Sequence, residues 1–174
     1  KNKLRLEIKE LKQFNVGKIL KIDVNRKQVG SDRLANAISV INNKDNFIIL
    51  DFGTATTFDV ILKNRYKGGI IAPGVNLSLK TLVEKAKLIP NTKLTKIKNI
   101  IGKNTQNAVK SGFYWGYQGL IKNLIYLIEK KNKKKFKIIF TGGLSHLYKN
   151  TIKKKIKVDK DLTIKGLLKL TVIE

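Results

Sequence analysis

The sequence predicts one mixed α/β unit, and two observations carry that expectation. Short β-branched and aromatic runs at Phe47 to Leu50, Thr57 to Leu62 and Phe136 to Phe140 have the length and composition of buried strands. Around them stand segments with apolar residues at helical spacing, near Leu34 to Ile41, Leu79 to Ala86 and Val109 to Leu127. A chain of 174 residues suits a single domain, and 42% hydrophobic residues suffice for a core despite the abundant lysine.

The spacing predicts a strand or two around Val16 to Val24. From Val29 the pattern changes: Gly30, Ser31, Asp32 and Arg33 lead into a helix with Leu34, Ala35, Ile38 and Ile41 on one face, capped by Ser31 or Asp32. Asn42 to Asn46 is a polar turn. The run Phe47 to Leu50 and its antiparallel partner Thr57 to Leu62 form a hairpin, and a third strand runs near Tyr66 to Ile71, punctuated by Gly68, Gly69, Pro73 and Gly74. A helix follows over Asn76 to Lys87, with Leu79, Leu82, Val83 and Ala86 inward and Pro90 marking its stop. After a loop at Lys93 to Asn99, Asn104 or Thr105 caps a long helix. Its expected inner face is Val109, Phe113, Gly116, Leu120, Leu124 and Leu127, with Gly112, Gly116 and Gly119 permitting close packing. Phe136 to Phe140 ends in the turn Thr141, Gly142, Gly143, and a last strand near Ile156 precedes a capped helix from Asp161.

The formal charge of +25 has two readings, a nucleic-acid surface or lysine on every solvated face. The second is favoured, because only Arg5, Arg26, Arg33 and Arg65 are arginines and the lysines are spread along the chain. With no cysteine there is neither a disulfide framework nor a thiolate metal site. No stretch approaches the roughly 20 apolar residues that span a bilayer, and the start KNKLRLEIKE lacks a signal-peptide block. The expectation is a cytoplasmic protein without membrane contact.

The stretch Phe47 to Asp59, FIILDFGTATTFD, concentrates the chemistry. Asp51 sits at the strand end, where a carboxylate can hold a cation. Gly53 lets backbone N–H groups approach a ligand, and Thr54, Thr56 and Thr57 add hydroxyl donors suited to phosphate oxygens. The chain has no G-x-x-x-x-G-K-[ST] loop, and D-F-G at Asp51 to Gly53 stands without the other protein-kinase segments. Read alone, Asp32 is more often a helix N-cap worth about 1 kcal/mol. His146 reads as solvated, and Phe113, Tyr114, Trp115 and Tyr117 as packing or interface.

Six blocks stand in order along the chain: VGSDRLANA at Val29 to Ala37, DFGTATTFD at Asp51 to Asp59, GGIIAPG at Gly68 to Gly74, IGKNTQNAVKSG at Ile101 to Gly112, TGG at Thr141 to Gly143 and DLTIKGL at Asp161 to Leu167. Together they resemble the type III pantothenate kinases of the actin-like, Hsp70-like and sugar-kinase-like ATPase superfamily. The resemblance implies a ribonuclease H-like (actin-like ATPase) fold, mainly the C-terminal half of the family's duplicated architecture. Residues 25–174 would be that domain, and 1–24 a remnant of, or linker from, the first subdomain. The family's N-terminal D-x-G-N-T phosphate loop has no counterpart in the chain, so the resemblance is to a truncated or degenerate member. Asp23 stands where the family often has tyrosine, Arg26 where it often has proline, and Lys165 where it commonly has glutamate.

The resemblance further implies ATP-dependent phosphorylation of the terminal hydroxyl of pantothenate, the first step toward coenzyme A. Asp32 would be the catalytic base, with Gly30, Asp32, Arg33 and Thr105 binding the substrate. Asp51, Gly53, Thr54, Thr141, Gly142 and Gly143 would face the nucleotide. Implied cofactors are ATP with Mg²⁺ and a monovalent cation, K⁺ or NH₄⁺, with Asp51 as the metal contact. The implied assembly is a homodimer in which Thr105 comes from the neighbouring subunit. A non-catalytic or regulatory relative and, further off, a basic nucleic-acid-binding module stay open as alternatives.

Overall fold

Among the described residues six strands, Lys21–Ile22 (β1), Asn46–Phe52 (β2), Ala55–Leu62 (β3), Arg65–Pro73 (β4), Lys137–Gly142 (β5) and Ile156–Val158 (β6), form one mixed sheet in the order β1-β4-β3-β2-β5-β6. The coordinates are a computed structural model, described over residues 10–172. Five helices accompany the sheet: Ser31–Val40 (α1), Val75–Lys85 (α2), Thr105–Asn132 (α3), Ser145–Tyr148 (α4) and Leu162–Thr171 (α5). β2, β3 and β4 make an antiparallel meander, whereas β5 and β6 run parallel to β2 on its other side. The chain therefore reverses its direction of travel across the sheet at β2, which makes the neighbouring ends of β2 and β5 the switch point of the sheet.

Strand alternation divides the core in two. Phe47, Ile49, Ile61, Tyr66 and Ile139 point to one face, under Leu34, Ala35 and Ile38 of α1 and Leu162 and Leu170 of α5. Ile48, Leu50, Phe52, Phe58, Ile138 and Phe140 point to the other, under Tyr114, Ile121, Ile125 and Ile128 of α3. Both faces of the central strands are covered, which is why β2 reads as a continuous apolar run. α1 and α5 cross closely at Gly166, where a Cβ would collide with the Ala35 carbonyl.

Several local expectations are corrected. Around Val16 to Val24 the chain makes a 3₁₀ turn at Val16–Lys18 and then only the two-residue β1, hydrogen-bonded beside β4. Leu11, Val16 and Leu20 are buried in the α1-side core; the first nine residues of the expected 1–24 segment, and the last two of 25–174, lie outside the described residues. Gly30, not Ser31 or Asp32, is the N-cap of α1, and Asp161 caps α5 without a side-chain hydrogen bond. Asn104 does cap α3, its side chain accepting from Asn107 N at 2.9 Å. Leu82 of α2 is exposed, and the buried residues of that helix are Val75 and Leu79.

The long helix is rotated from its expected setting. Its buried ladder is Ser111, Tyr114, Gln118, Ile121, Ile125 and Ile128; Phe113, Leu120 and Leu124 are only partly buried, and Leu127 is 45% exposed. α3 carries apolar residues on two adjacent ladders, and periodicity alone does not choose between them. A Cβ at Gly112, Gly116 or Gly119 would meet nothing within 4 Å, so these glycines are not close-packing points within the chain.

Candidate active site

The site is assembled at the end of the sheet where β2 and β5 terminate and α1 begins. Asp51 occupies the last turn of β2, paired across the sheet with Thr57 on one side and Thr141 on the other. Its Oδ2 accepts from Asn36 Nδ2 at 3.1 Å, and Asn36 Oδ1 accepts in turn from Thr163 Oγ1 of α5 at 2.8 Å. A three-element relay thus fixes the carboxylate. Burial pushes the Asp51 carboxyl up, the Asn36 hydrogen bond draws it down and the nearby Asp32 charge pushes it up again, for a net rise. Gly142 closes the other side of Asp51: at φ +81° it holds a conformation that suits glycine, and a Cβ there would come within 2.6 Å of Asp51 Oδ1.

Gly53 and Thr54 form the exposed turn between β2 and β3, with Gly53 N donating to Ala55 O at 3.1 Å. The start of α2 is wedged against that turn, since a Cβ on Gly74 would collide with the Thr54 carbonyl. Thr141 is buried in β5, whereas Gly143 is exposed beyond it, and Ser145 Oγ ties the turn back to Gly142 O at 2.8 Å. Thr56 and Thr57 differ from Thr54: they lie within β3, and neither hydroxyl has a hydrogen-bond partner among the described residues.

Asp32 and Arg33 are neighbours on the first turn of α1 with opposite fates. Asp32 is exposed. Arg33 folds under the helix to Asp59 of β3, its Nε donating to Oδ1 at 2.8 Å and its Nη2 lying 2.7 Å from the same oxygen. Tyr66 OH of β4 donates to that oxygen too, at 2.5 Å. Asp59 is fully buried; burial pushes its carboxyl up, and the Arg33 and Tyr66 donors draw it back only in part. Burial pulls the Arg33 guanidinium down, but the adjoining Asp59 carboxylate more than offsets this. Burial next to that carboxylate also drives the Tyr66 hydroxyl far above its ordinary range, so it stays a donor.

Gly30, Asp32, Arg33, Asp51, Gly53, Thr54, Thr141, Gly142 and Gly143 therefore share one end of the sheet. Thr105 lies on another element, exposed in the first turn of α3. Asp23 is occupied at the surface by Arg65 at 2.6 Å and Lys67 at 2.5 Å, and Arg26 Nη2 donates to Phe14 O at 2.9 Å. Lys165 grips Asp159, at 2.7 Å to each oxygen. Sequence reasoning missed Asn36, Thr163, Tyr66 and the role of Asp59. One signal for Asp59 was present: a carboxylate at an inward position of an alternating strand, directly opposite Ile49.

Among the described residues no group of three or more His, Asp or Glu side chains gathers as a metal site, and no helix is long and apolar enough to cross a membrane. One carboxylate at a strand end, with a second oxygen beside a glycine turn, fits a Mg²⁺ ion that takes its remaining ligands from phosphates and water. It does not fit an all-protein cage.

A family model described as type III pantothenate kinase matches residues 3–126. The type III pantothenate kinase of Pelagibacter ubique (strain HTCC1062) is 61% identical over 169 residues, 97% of this chain and 68% of that protein. That of Cereibacter sphaeroides (strain ATCC 17029) is 43% identical over 142 residues, 80% of this chain and 55% of that protein. The chain thus spans about two thirds of the first relative and about half of the second. Among solved structures, a Campylobacter jejuni protein described as a Baf family transcriptional activator superposes with a TM-score of 0.66 at 24% identity, covering 91% of this chain and 71% of that one. A Sinorhizobium meliloti protein described as a 2-dehydro-3-deoxygalactonokinase gives 0.55 at 10% identity, covering 82% and 58%.

A meander joined to two parallel strands, with its polar cluster at the switch point, gives the chain the ribonuclease H-like fold class. Within that class many chemistries share one scaffold, so the narrower assignment rests on sequence. The chain belongs to the type III pantothenate kinase family.

Proposed function

We propose that the protein carrying this chain transfers the γ-phosphoryl group of ATP to the terminal hydroxyl of pantothenate, the entry step of coenzyme A synthesis. The observation that carries this reading is the Asp32–Asn36–Asp51 end of the sheet: an exposed carboxylate on α1 beside a half-buried one whose orientation is fixed by Asn36. The two have different work. Asp32 accepts the hydroxyl proton as the oxygen attacks phosphorus, a role that needs an accessible carboxylate. Asp51 stays anchored and holds cationic charge next to the phosphates.

Backbone N–H groups at the Gly53–Thr54 turn and the Thr54 hydroxyl donate to phosphate oxygens, and the backbone at Thr141 to Gly143 lies alongside the nucleotide. Gly30 leaves room for the substrate and Arg33 pairs with its carboxylate. Bound Mg²⁺ would neutralise charge on the phosphates, with Asp51 as its protein ligand; Asp51 is also the contact proposed for K⁺ or NH₄⁺. The homodimer belongs to the same proposal. It is supported by the outward ridge of α3, where Tyr126 and Leu127 are exposed and the three glycines face open space, and it would bring the partner's Thr105 into the pocket. The compartment proposed is the cytoplasm.

The test is a coupled ATP-consumption assay on the full-length protein with pantothenate, together with Asp32→Asn. Removing a general base lowers turnover roughly 100- to 10,000-fold. Turnover within a factor of three of the unaltered enzyme would remove Asp32 from that role.

A further inference from the structure

The buried ion pair beneath α1 joins Arg33, proposed above to meet the substrate's carboxylate, to Asp59, which has no part in the chemistry just described. A buried salt bridge is a weak source of stability, because desolvating the two charges consumes most of their attraction. Here two strands are shaped around one. β3 supplies Asp59 at an inward position, β4 supplies the Tyr66 hydroxyl, and Gly69, the residue paired with Asp59 on β4, supplies space. A Cβ on Gly69 would collide with Arg33 Nη2 and with the Phe58 carbonyl. The slot is therefore open only because residue 69 has no side chain.

The geometry of the pair is one-sided. Arg33 Nε and the Tyr66 hydroxyl donate to Asp59 Oδ1, and Arg33 Nη2 lies 2.7 Å from the same oxygen without a hydrogen bond to it, while Oδ2, also buried, has no hydrogen-bond partner among the described residues. Nε and Nη2 are the guanidinium nitrogens set against Asp59, which leaves Nη1 as the nitrogen that Asp59 does not engage, and the side chain is 12% exposed. A flexible surface arginine would sample many rotamers and lose entropy on gripping an anion; one held from behind does not.

We infer that Asp59, braced by Tyr66 and admitted by the gap at Gly69, is a positioning residue that aims Arg33, through Nη1, at the carboxylate of the substrate. This rests on the proposed function, in which Arg33 meets that carboxylate. It adds a division of labour: Asp59 acts on substrate affinity through Arg33 and leaves phosphoryl transfer to Asp32.

The experiment is steady-state kinetics on the full-length protein and its Asp59→Asn variant. Pantothenate is compared with an analogue bearing a hydroxymethyl group in place of the carboxylate. Asp59→Asn is expected to raise KM for pantothenate roughly 10- to 100-fold, with kcat changed less than about threefold and KM for ATP and for the analogue unchanged. Tyr66→Phe removes one hydrogen bond and no charge, and should raise KM for pantothenate a few-fold in the same selective way; it supplies the answer if Asp59→Asn does not fold. An unaltered KM for pantothenate in a folded variant overturns the inference. So does a KM rise shared by pantothenate, the analogue and ATP, which marks a merely structural pair. If the unaltered protein does not phosphorylate pantothenate, it is the proposed function that fails.

Discussion

The α3 face and the α1 face of the sheet are built on the same central strands and differ in what crosses the gap to the helices. Under α3 the contacts are mainly apolar and aromatic, with neutral hydroxyl bonds from Tyr117 OH to Pro73 O at 3.1 Å and from Tyr148 OH to Phe113 O at 3.2 Å: Phe52 packs edge-on to Phe140 at 5.2 Å and stacks on Tyr148 at 5.4 Å, with Tyr114 6.0 Å from Tyr148. Under α1 the apolar contacts are joined by hydrogen bonds to buried or half-buried carboxylates, Arg33 to Asp59 and Asn36 to Asp51. Residues 33 and 36 lie three apart on the inner side of one helix, so the two links fix its rotation as well as its position. Apolar burial stabilises without selecting a rotamer to within a few degrees. Charged hydrogen bonds do select one, and the proposed catalytic groups stand on the face that has them.

Breaking each face should therefore produce different damage. The largest effect is expected on the α3 side: Ile121→Ala empties a fully buried position and costs about 2–5 kcal/mol. In a domain of this size that lowers Tm by roughly 5–15 °C. Below the melting range, KM for both substrates should stay within about twofold. A selective loss of substrate affinity would show that the two faces are not separable.

On the α1 side, Asn36→Ala is expected to cost about 1–3 kcal/mol by removing the donor to a half-buried carboxylate. The deficit depends on pH. Asp51 already titrates above the usual carboxylate range, and without Asn36 it rises further. Asn36 favours only the ionised form, so the deficit should be full at pH 8 and shrink as pH falls through the raised value. The acidic limb of the activity profile should move to higher pH, and an unmoved limb would detach Asp51 from activity.

The smallest effect sharpens the comparison by using a link at the rim. The Lys165 pair holds the Asp159 carboxyl below its usual range against the opposing effect of burial, so its contribution is present above about pH 4 and is lost as pH falls below that. Asp159→Asn should cost about 1 kcal/mol or less at pH 7, because Lys165 is half exposed, and the difference should fade in acid. Chemical denaturation at pH 7 and pH 3 reads both.

Much of this arrangement was legible in the sequence, and the failures have physical causes. The strands were found because β-branched runs bounded by glycine and proline have few other readings, and the hairpin and the strand-end turn at Thr141 to Gly143 followed from them. The proposed site residues came from blocks whose glycines and carboxylates fall at strand ends. The setting of α3 was misjudged because Val109 to Ile128 offers two apolar ladders a single residue apart, and only the sheet beneath chooses between them. The N-cap of α1 was misassigned because Ser31 and Asp32 are both good caps by composition, yet Ser31 is already the first helical residue and the cap falls on Gly30. The Asp59 pair stayed hidden for a more general reason. Residues 33, 59, 66 and 69 meet only after β3 and β4 pair and α1 folds over them, and local spacing does not encode a contact across three elements.

The crossing of α1 and α5 at Gly166 sets a mechanical datum for the site. Because backbone meets backbone there, the height of α1 over the sheet is fixed by a hard stop rather than by the sum of deformable side chains. Conservative repacking of Leu34, Ile38 or Leu170 can then be absorbed in rotamers while Asp32 and Arg33 keep their station. A single methyl at 166 would lift the helix, and both side chains with it. Tolerance to drift is wide across that layer and close to zero at one residue.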